Sequence, residues 1–401
     1  METHNTEGTA PIFWLKLGYA MGVSADKVGV CRDGEEISRM AADAISLGAA
    51  CAGAEIYNFG VQNLPITRSA VRFYKTEATA YASLSKDTNN LKITLLDSRG
   101  IQAAPEALLK GAEGVLSPDF AGFRITPGKE ARDCSEFKEH YLREIINSVK
   151  SERFNINMCL STKSKTVSEI IGTVLKELYP RLVPEARNKY AFRGSISLDG
   201  ERLILERSDG SKLTQEQAQS VMVYVLLRDS ETRTFVLPEY VSDYTEKAVL
   251  RLGGEVVRSG GDEGEMMSKM LEYGSGEQML MQYDGVYAAL KLLDFLNRFD
   301  VSFDSLCEHL PRIFKAEAEV ECGADKARTI LRSIKKQYGT SGNIINKNGL
   351  RIRTDGGVTL ILPIDGGIIR IISESESFEA AEEISTLFKN KIKTLAKDDS
   401  L

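Results

Sequence analysis

Over its first hundred residues this chain alternates short apolar runs with small-residue stretches of helical period. That alternation limits the possible folds more than any other feature. Residues 10–23 have helical period, with Leu15, Tyr19 and Met21 facing a core. Residues 28–31 (VGVC) read as a strand ended by Arg32-Asp33-Gly34. Residues 38–54 (SRMAADAISLGAACAGA) are helical again, with Ser38 as the cap, and 55–59 form a second strand. Residues 67–74 return to helix before a third strand begins at Ala78. Strand, helix, strand, helix, strand predicts a largely parallel, right-handed α/β layer. The third strand runs into a polar, hydroxyl-rich stretch, residues 83–90, and then into the apolar run LKITLL at 91–96. On α/β scaffolds function gathers at strand ends, so this stretch can present a serine to a cleft. A solvated turn between two strands is the plainer reading of the same residues.

At 401 residues the chain exceeds one ordinary core, since domains run to roughly 100–200 residues each. The order of the elements divides the chain into four domains, 1–133, 134–230, 231–315 and 316–401. In the second, Thr214 with Gln217 three residues on is a capping-box arrangement for a helix over 214–227. In the third, 279–282 reads as a strand and 286–299 as a helix. The fourth carries strands at 349–354 and 358–363 around Asp355-Gly356-Gly357, a further strand at 368–373 and a helix over 378–396. The formal net charge of −6 gives no reason to expect nucleic acid or an anionic membrane as partner. No apolar run nears the roughly 20 residues of a membrane span. The first residues lack a signal peptide's basic start and apolar core, so a cytoplasmic location is the expectation. Six cysteines show no paired spacing, and Cys31 and Cys51 read as core thiols. The three histidines, His4, His140 and His309, lie far apart in sequence, which speaks against a histidine metal site or a histidine base.

Taken in order, these segments resemble the α-D-phosphohexomutases, the phosphoglucomutase and phosphomannomutase superfamily. Val28-Gly29-Val30-Cys31-Arg32-Asp33 is similar to that family's first strand and Gly-Arg-Asp turn. Ala82-Ser83-Leu84-Ser85 falls on its Thr-Ala-Ser-His-Asn-Pro phosphoserine loop, and Asn89-Asn90-Leu91-Lys92 on its Asn-Gly-Ile-Lys. Asp199-Gly200-Glu201-Arg202 falls on the metal loop Asp-Gly-Asp-Ala-Asp-Arg. Leu252-Gly253-Gly254-Glu255 and Asp284-Gly285-Val286-Tyr287 match segments of the third domain. The stretch from Leu362-Pro363 to Arg370 falls on the phosphate-binding Arg-Pro-Ser-Gly-Thr-Glu-Pro loop of the fourth. The fold implied is α/β, a multi-domain phosphohexomutase-like architecture with three α/β domains and a C-terminal antiparallel-sheet α+β domain.

The resemblance implies movement of a phosphoryl group between two hydroxyls of a hexose phosphate through a phosphoserine. Such chemistry needs a serine nucleophile, a carboxylate-bound metal and groups that move protons. Ser83 is the implied nucleophile and Lys92 its catalytic companion. Asp199 and Glu201 are the implied, weak Mg²⁺ ligands. Arg32, Lys86, Glu277 (within the relic-like Gly274-Ser275-Gly276-Glu277-Gln278) and Arg370 are the implied substrate-binding residues. All four loops depart from the family pattern together. Leu84, Ser85 and Lys86 replace histidine, asparagine and proline. Two carboxylates stand for three aspartates, the sugar-reading loop has no clear copy, and Leu362 and Asp365 occupy phosphate-binding positions. The leading expectation is therefore a family protein with impaired or absent catalysis and a binding or structural role. The alternative is a working sugar-phosphate mutase with an unusual site, using Mg²⁺. A plain scaffold with a protein partner also stays open.

Overall fold

The structure, a computed structural model, describes residues 11–85, 90–117, 119–126, 129–239, 241–260, 262–308, 310, 314–339, 342–345, 349–354, 356–364 and 366–397. The chain forms two compact units, Met1–Val225 with Gly276–Cys307, and Leu226–Ser275 with Glu308–Leu401.

The first unit begins with α1 (Pro11–Ser24), β1 (Lys27–Arg32), α2 (Glu36–Cys51), β2 (Glu55–Val61), α3 (Leu64–Tyr74), β3 (Ala78–Ser85), β4 (Asn90–Asp97), α4 (Pro105–Leu108) and β5 (Arg132–Asp133). Its sheet has the order β4-β3-β1-β2-β5. The β1–β2, β1–β3 and β2–β5 pairs are parallel, as the alternation predicted, and β3–β4 is antiparallel. Ala78 to Ala82 of β3 are buried on both faces, the pattern of a strand covered above and below. On one side α1 and α2 cross so closely that a Cβ on Gly48 would lie 2.1 Å from the Leu15 carbonyl oxygen, and one on Gly18 2.0 Å from that of Ile45. Only glycine permits that approach. α3 is capped by Asn63, whose side chain accepts from the Ile66 N–H, and it stops at Lys75 in the left-handed region (φ 56°).

The same unit continues through α5 (Phe137–Asn147), β6 (Asn157–Ser161), α6 (Lys165–Leu178), β7 (Tyr190–Ile196), β8 (Leu203–Glu206) and α7 (Gln215–Asp229), and later regains α10 (Gly276–Tyr283), α11 (Gly285–Phe299) and α12 (Phe303–Glu308). β6-β7-β8 make a three-stranded sheet against which α11 packs. The capping box is present: Gln217 N–H donates to Thr214 Oγ1 at 3.2 Å, and Thr214 N–H to Gln217 Oε1 at 3.0 Å. Residues 279–282 are helical within α10, not a strand. Met279 and Met281, two apart, are both buried, a spacing that a strand would give as well, so pattern alone did not separate the two. Ser38 does not cap α2. Glu35 holds the N-cap position, and Ser38 is buried inside the helix.

The second unit holds β9 (Thr234–Pro238), α8 (Asp243–Arg251), β10 (Glu255–Ser259) and α9 (Glu263–Glu272), then β11 (Phe314–Glu321), α13 (Ala324–Tyr338), β12 (Gly342–Ile345), β13 (Gly349–Thr354), β14 (Gly357–Ile364), β15 (Ile368–Ser375) and α14 (Phe378–Lys397). β9 and β10 are a parallel pair. The other five strands form a fully antiparallel sheet, order β11-β15-β14-β13-β12, packed on α13 and α14 through Ile330, Ile334, Ile352, Ile361, Ile371 and Phe388. This is the mixed C-terminal architecture expected of 316–401, although β12 was not foreseen. Arg351 of β13, 2% exposed, bonds the Asp243 carboxylate and the Glu239 carbonyl. Arg353 Nε and Arg258 Nη2 reach Asp243 as well, at 2.6 and 3.2 Å. Burial raises the Asp243 carboxyl, but Arg353, Arg351 and Arg258 together bring it below its ordinary value.

Candidate functional site

In the first unit the end of β3 lines a cleft of about 140 Å³. Side chains alternate along a strand, so Tyr81, Ser83 and Ser85 share one face. The β3–β4 register sets Thr94 opposite Tyr81 and Lys92 opposite Ser83, and both join that face. Directly opposed residues have their Cβ atoms about 5 Å apart, within reach of a lysine chain. The two residues named as catalytic candidates are therefore brought together by strand pairing alone.

Asp33 fixes the tip of β3. Its N–H donates to Ala82 O at 2.9 Å, its Oδ2 accepts from Leu84 N–H at 2.8 Å, and its Oδ1 from Glu35 N–H at 3.0 Å. Gly34 N–H donates to Thr166 Oγ1 at 3.1 Å, which ties this turn to the start of α6. Ser164 caps that 14-residue helix, its hydroxyl accepting from Val167 N–H. Ser164, Lys165 and Thr166 thereby line the same cleft as Ser83. Neither Lys92 nor Lys165 has an ion-pair partner among the described residues.

Asp199 enters from the turn after β7. Its Oδ1 accepts from Ser197 Oγ at 2.5 Å and from Glu201 N–H at 3.1 Å. Its carbonyl accepts from Leu64 N–H, and the Gly200 carbonyl accepts from Gly285 N–H, so the turn is pinned to the starts of α3 and α11. Gly200 has φ +88°, and a Cβ there would sit 2.4 Å from Asn63 Nδ2. Glu201 turns the other way. Its Oε1 takes Arg68 Nε at 2.9 Å and Nη2 at 2.6 Å, with both side chains under 10% exposed, and Arg68 Nη1 donates to Gly100 O at 2.6 Å. The expected pair of Mg²⁺ ligands is thus divided: Asp199 faces the cleft and Glu201 is half of a buried ion pair. Among the described residues no three histidine, cysteine or acidic side chains cluster as metal ligands. One turn-bound aspartate does not fit the multi-carboxylate cradle that the resemblance implied for Mg²⁺.

Of the remaining candidates, Arg32 and Glu277 do not line this cleft, and Arg370 belongs to the second unit. Arg32 ends β1 half-buried, with Nη1 donating to Asp33 O. Glu277, in α10, pairs with Lys291 at 3.0 Å and accepts from Tyr287 Oη at 3.2 Å. Arg370 is 44% exposed on β15 and pairs with Glu319 of β11 at 2.8 Å. Lys86 and Asp365 lie outside the described residues. The stretch implied as a phosphate loop is a ladder: Leu362 pairs with Arg370, Pro363 with Ile369 and Ile364 with Ile368. Three positions connect the strands, and Gly366 and Gly367 both have positive φ. Sequence reasoning passed over Tyr81, Asp33 and Lys165. Alternation from Ser83 would have placed Tyr81 on its face. Lys165 carries no such signal, because only the packing of α6 against the β1 turn brings it there.

Residues 4–114 match the family model "Phosphoglucomutase/phosphomannomutase, alpha/beta/alpha domain I". A Pyrococcus horikoshii protein named "Probable phosphoglucosamine mutase" is 22% identical over 98% of this chain and 96% of its own length. A Burkholderia thailandensis phosphoglucomutase/phosphomannomutase family structure superposes with TM-score 0.78 at 17% identity, covering 99% of this chain and 96% of its own. Aspergillus fumigatus N-acetylphosphoglucosamine mutase, solved with GlcNAc-6P and magnesium, gives TM-score 0.51 at 9% identity over 92% and 78% of the two chains. Among the described residues no helix is long and apolar enough to cross a membrane.

Proposed function

From a chain related along its length to the α-D-phosphohexomutases, we propose a protein that holds a hexose phosphate at the Ser83 cleft and has lost efficient mutase turnover. The observation that carries this reading is the Glu201–Arg68 ion pair. A carboxylate in a buried pair cannot leave it to bind a metal without stranding a buried guanidinium, which costs several kcal/mol. Without clustered carboxylates, charge developing on a transferred phosphoryl group goes largely unbalanced, and rate falls by orders of magnitude. The β14–β15 ladder supports the same reading, since residues 362–364 and 368–370 are paired in a sheet where the resemblance implied a phosphate loop. The bound GlcNAc-6P of the Aspergillus relative suggests the ligand class.

A second reading has an observation of its own. Ser83 and Lys92 face each other across β3 and β4, an arrangement suited to a nucleophile and a proton acceptor, so phosphoryl transfer through Ser83 is the alternative. Intact-mass spectrometry after incubation with glucose 1-phosphate, mannose 1-phosphate or glucosamine 1-phosphate and Mg²⁺ separates the two. The proposal expects unmodified Ser83. Stoichiometric phosphate on Ser83 that is passed on to added hexose phosphate would overturn it.

A further inference from the structure

Tyr81 is 2% exposed and lines the cleft, and its hydroxyl makes no hydrogen bond to any described residue. The hydroxyl therefore keeps its donor for whatever enters the cleft, water or a ligand atom. Burial, with Cys31, Asp33, Asp199 and Glu201 near it, pushes the phenol well above its ordinary range, and it stays a proton donor at neutral pH. Across the cleft lies the first turn of α6, where Lys165 and Thr166 occupy the first two helical positions. Helix N-termini offer outward N–H groups and a partial positive charge. The ammonium groups of Lys92 and Lys165 add full charges with no ion-pair partner among the described residues.

Carboxylates face the same space and weigh against an anion. Both oxygens of Asp33 accept backbone N–H groups, and Oδ1 of Asp199 accepts a hydroxyl and an N–H, so much of their charge is already answered. Glu35 also faces the cleft, half-buried. Tyr81, Lys92 and Lys165 supply donors to the same lining. About 140 Å³ holds a group several times the size of a water molecule, which suits a phosphate.

We propose that the cleft seats the phosphate of a phosphate monoester between the Tyr81 hydroxyl, Lys92, Lys165 and the first turn of α6. This rests on the hexose-phosphate reading and adds where the phosphate sits. The test is calorimetric titration of the full chain with inorganic phosphate, glucose 6-phosphate and glucose, for wild type and for Lys165→Ala, Tyr81→Phe and Arg370→Ala. The expected result is saturable binding of glucose 6-phosphate and phosphate but not glucose. Lys165→Ala should weaken it about tenfold and flatten its salt dependence, because a charge-assisted contact is lost. Tyr81→Phe should weaken it severalfold without lowering Tm, since that hydroxyl bonds nothing in the fold, and Arg370→Ala should leave it unchanged. Wild-type affinity in both Lys165→Ala and Tyr81→Phe, or loss in Arg370→Ala, overturns the placement while the hexose-phosphate reading stands. No binding by the wild type overturns both.

Discussion

The tip of β3 and the β14–β15 connection both fall where the resemblance implied functional loops, and the two are built in opposite ways. At β3 the strand ends in half-buried residues that open onto a cleft, and the Ser83 and Tyr81 hydroxyls make no hydrogen bond to a described residue. At β14–β15 the ladder runs unbroken to Ile364 and Ile368, and the exposed Arg370 within it pairs with Glu319. Backbone N–H groups committed to a sheet cannot also bind a ligand. The contrast teaches that, under the proposed reading, whether a loop can still meet a ligand depends on whether local hydrogen bonding leaves groups to spare.

The largest effect that bears on this contrast concerns Glu201. If its role is structural, Glu201→Gln should destabilise the protein by about 3–5 kcal/mol in urea unfolding, because Arg68 stays buried and loses its counter-charge. Replacing both partners with apolar residues of similar volume should recover much of that loss. A Glu201→Gln protein with wild-type stability and weakened Mg²⁺ binding would return Glu201 to a metal role.

The second unit should respond to acid through Asp243. Its carboxyl is held below the ordinary 3.8, so its stabilisation is present above that value and is lost as pH falls through the lower folded value. The Asp243 contribution to stability, taken as wild type minus Asp243→Asn in urea unfolding, should be level from neutrality to about pH 4 and shrink below it. A difference that disappears already at pH 5 to 6 would contradict the arginine cluster.

Gly367 tests the hairpin. At φ +77° an alanine costs about 1–2 kcal/mol, and the loss should appear in stability with no change in glucose 6-phosphate affinity. Smallest of all, Arg370→Ala should shift stability by less than about 0.5 kcal/mol, as expected of an exposed pair.

The parts of this architecture that could be read from sequence were those set by local pattern. The β1 strand, the Thr214–Gln217 box and the β13–β14 hairpin each follow from alternation, capping or turn chemistry within a few residues. Ser83 and Lys92 were found through motif resemblance, and their shared face follows from register. Tertiary packing decided the rest. Residues 279–282 were taken for a strand because four apolar or amide residues carry too little period to separate strand from helix. The ion pair of Glu201, named from the resemblance as a weak metal ligand, could not be read because nothing near it in sequence shows Arg68, which lies 133 positions away and reaches it through the docking of α3 on the Asp199 turn. Lys165 was invisible for the same reason.

The account stands most directly on turnover. Wild-type protein and Ser83→Ala, assayed side by side with Mg²⁺ for conversion of glucose, mannose and glucosamine 1-phosphates to their 6-phosphates, should be indistinguishable, both at background. Turnover by the wild type in the ordinary enzyme range of roughly 1–1000 per second, abolished by Ser83→Ala, would contradict it.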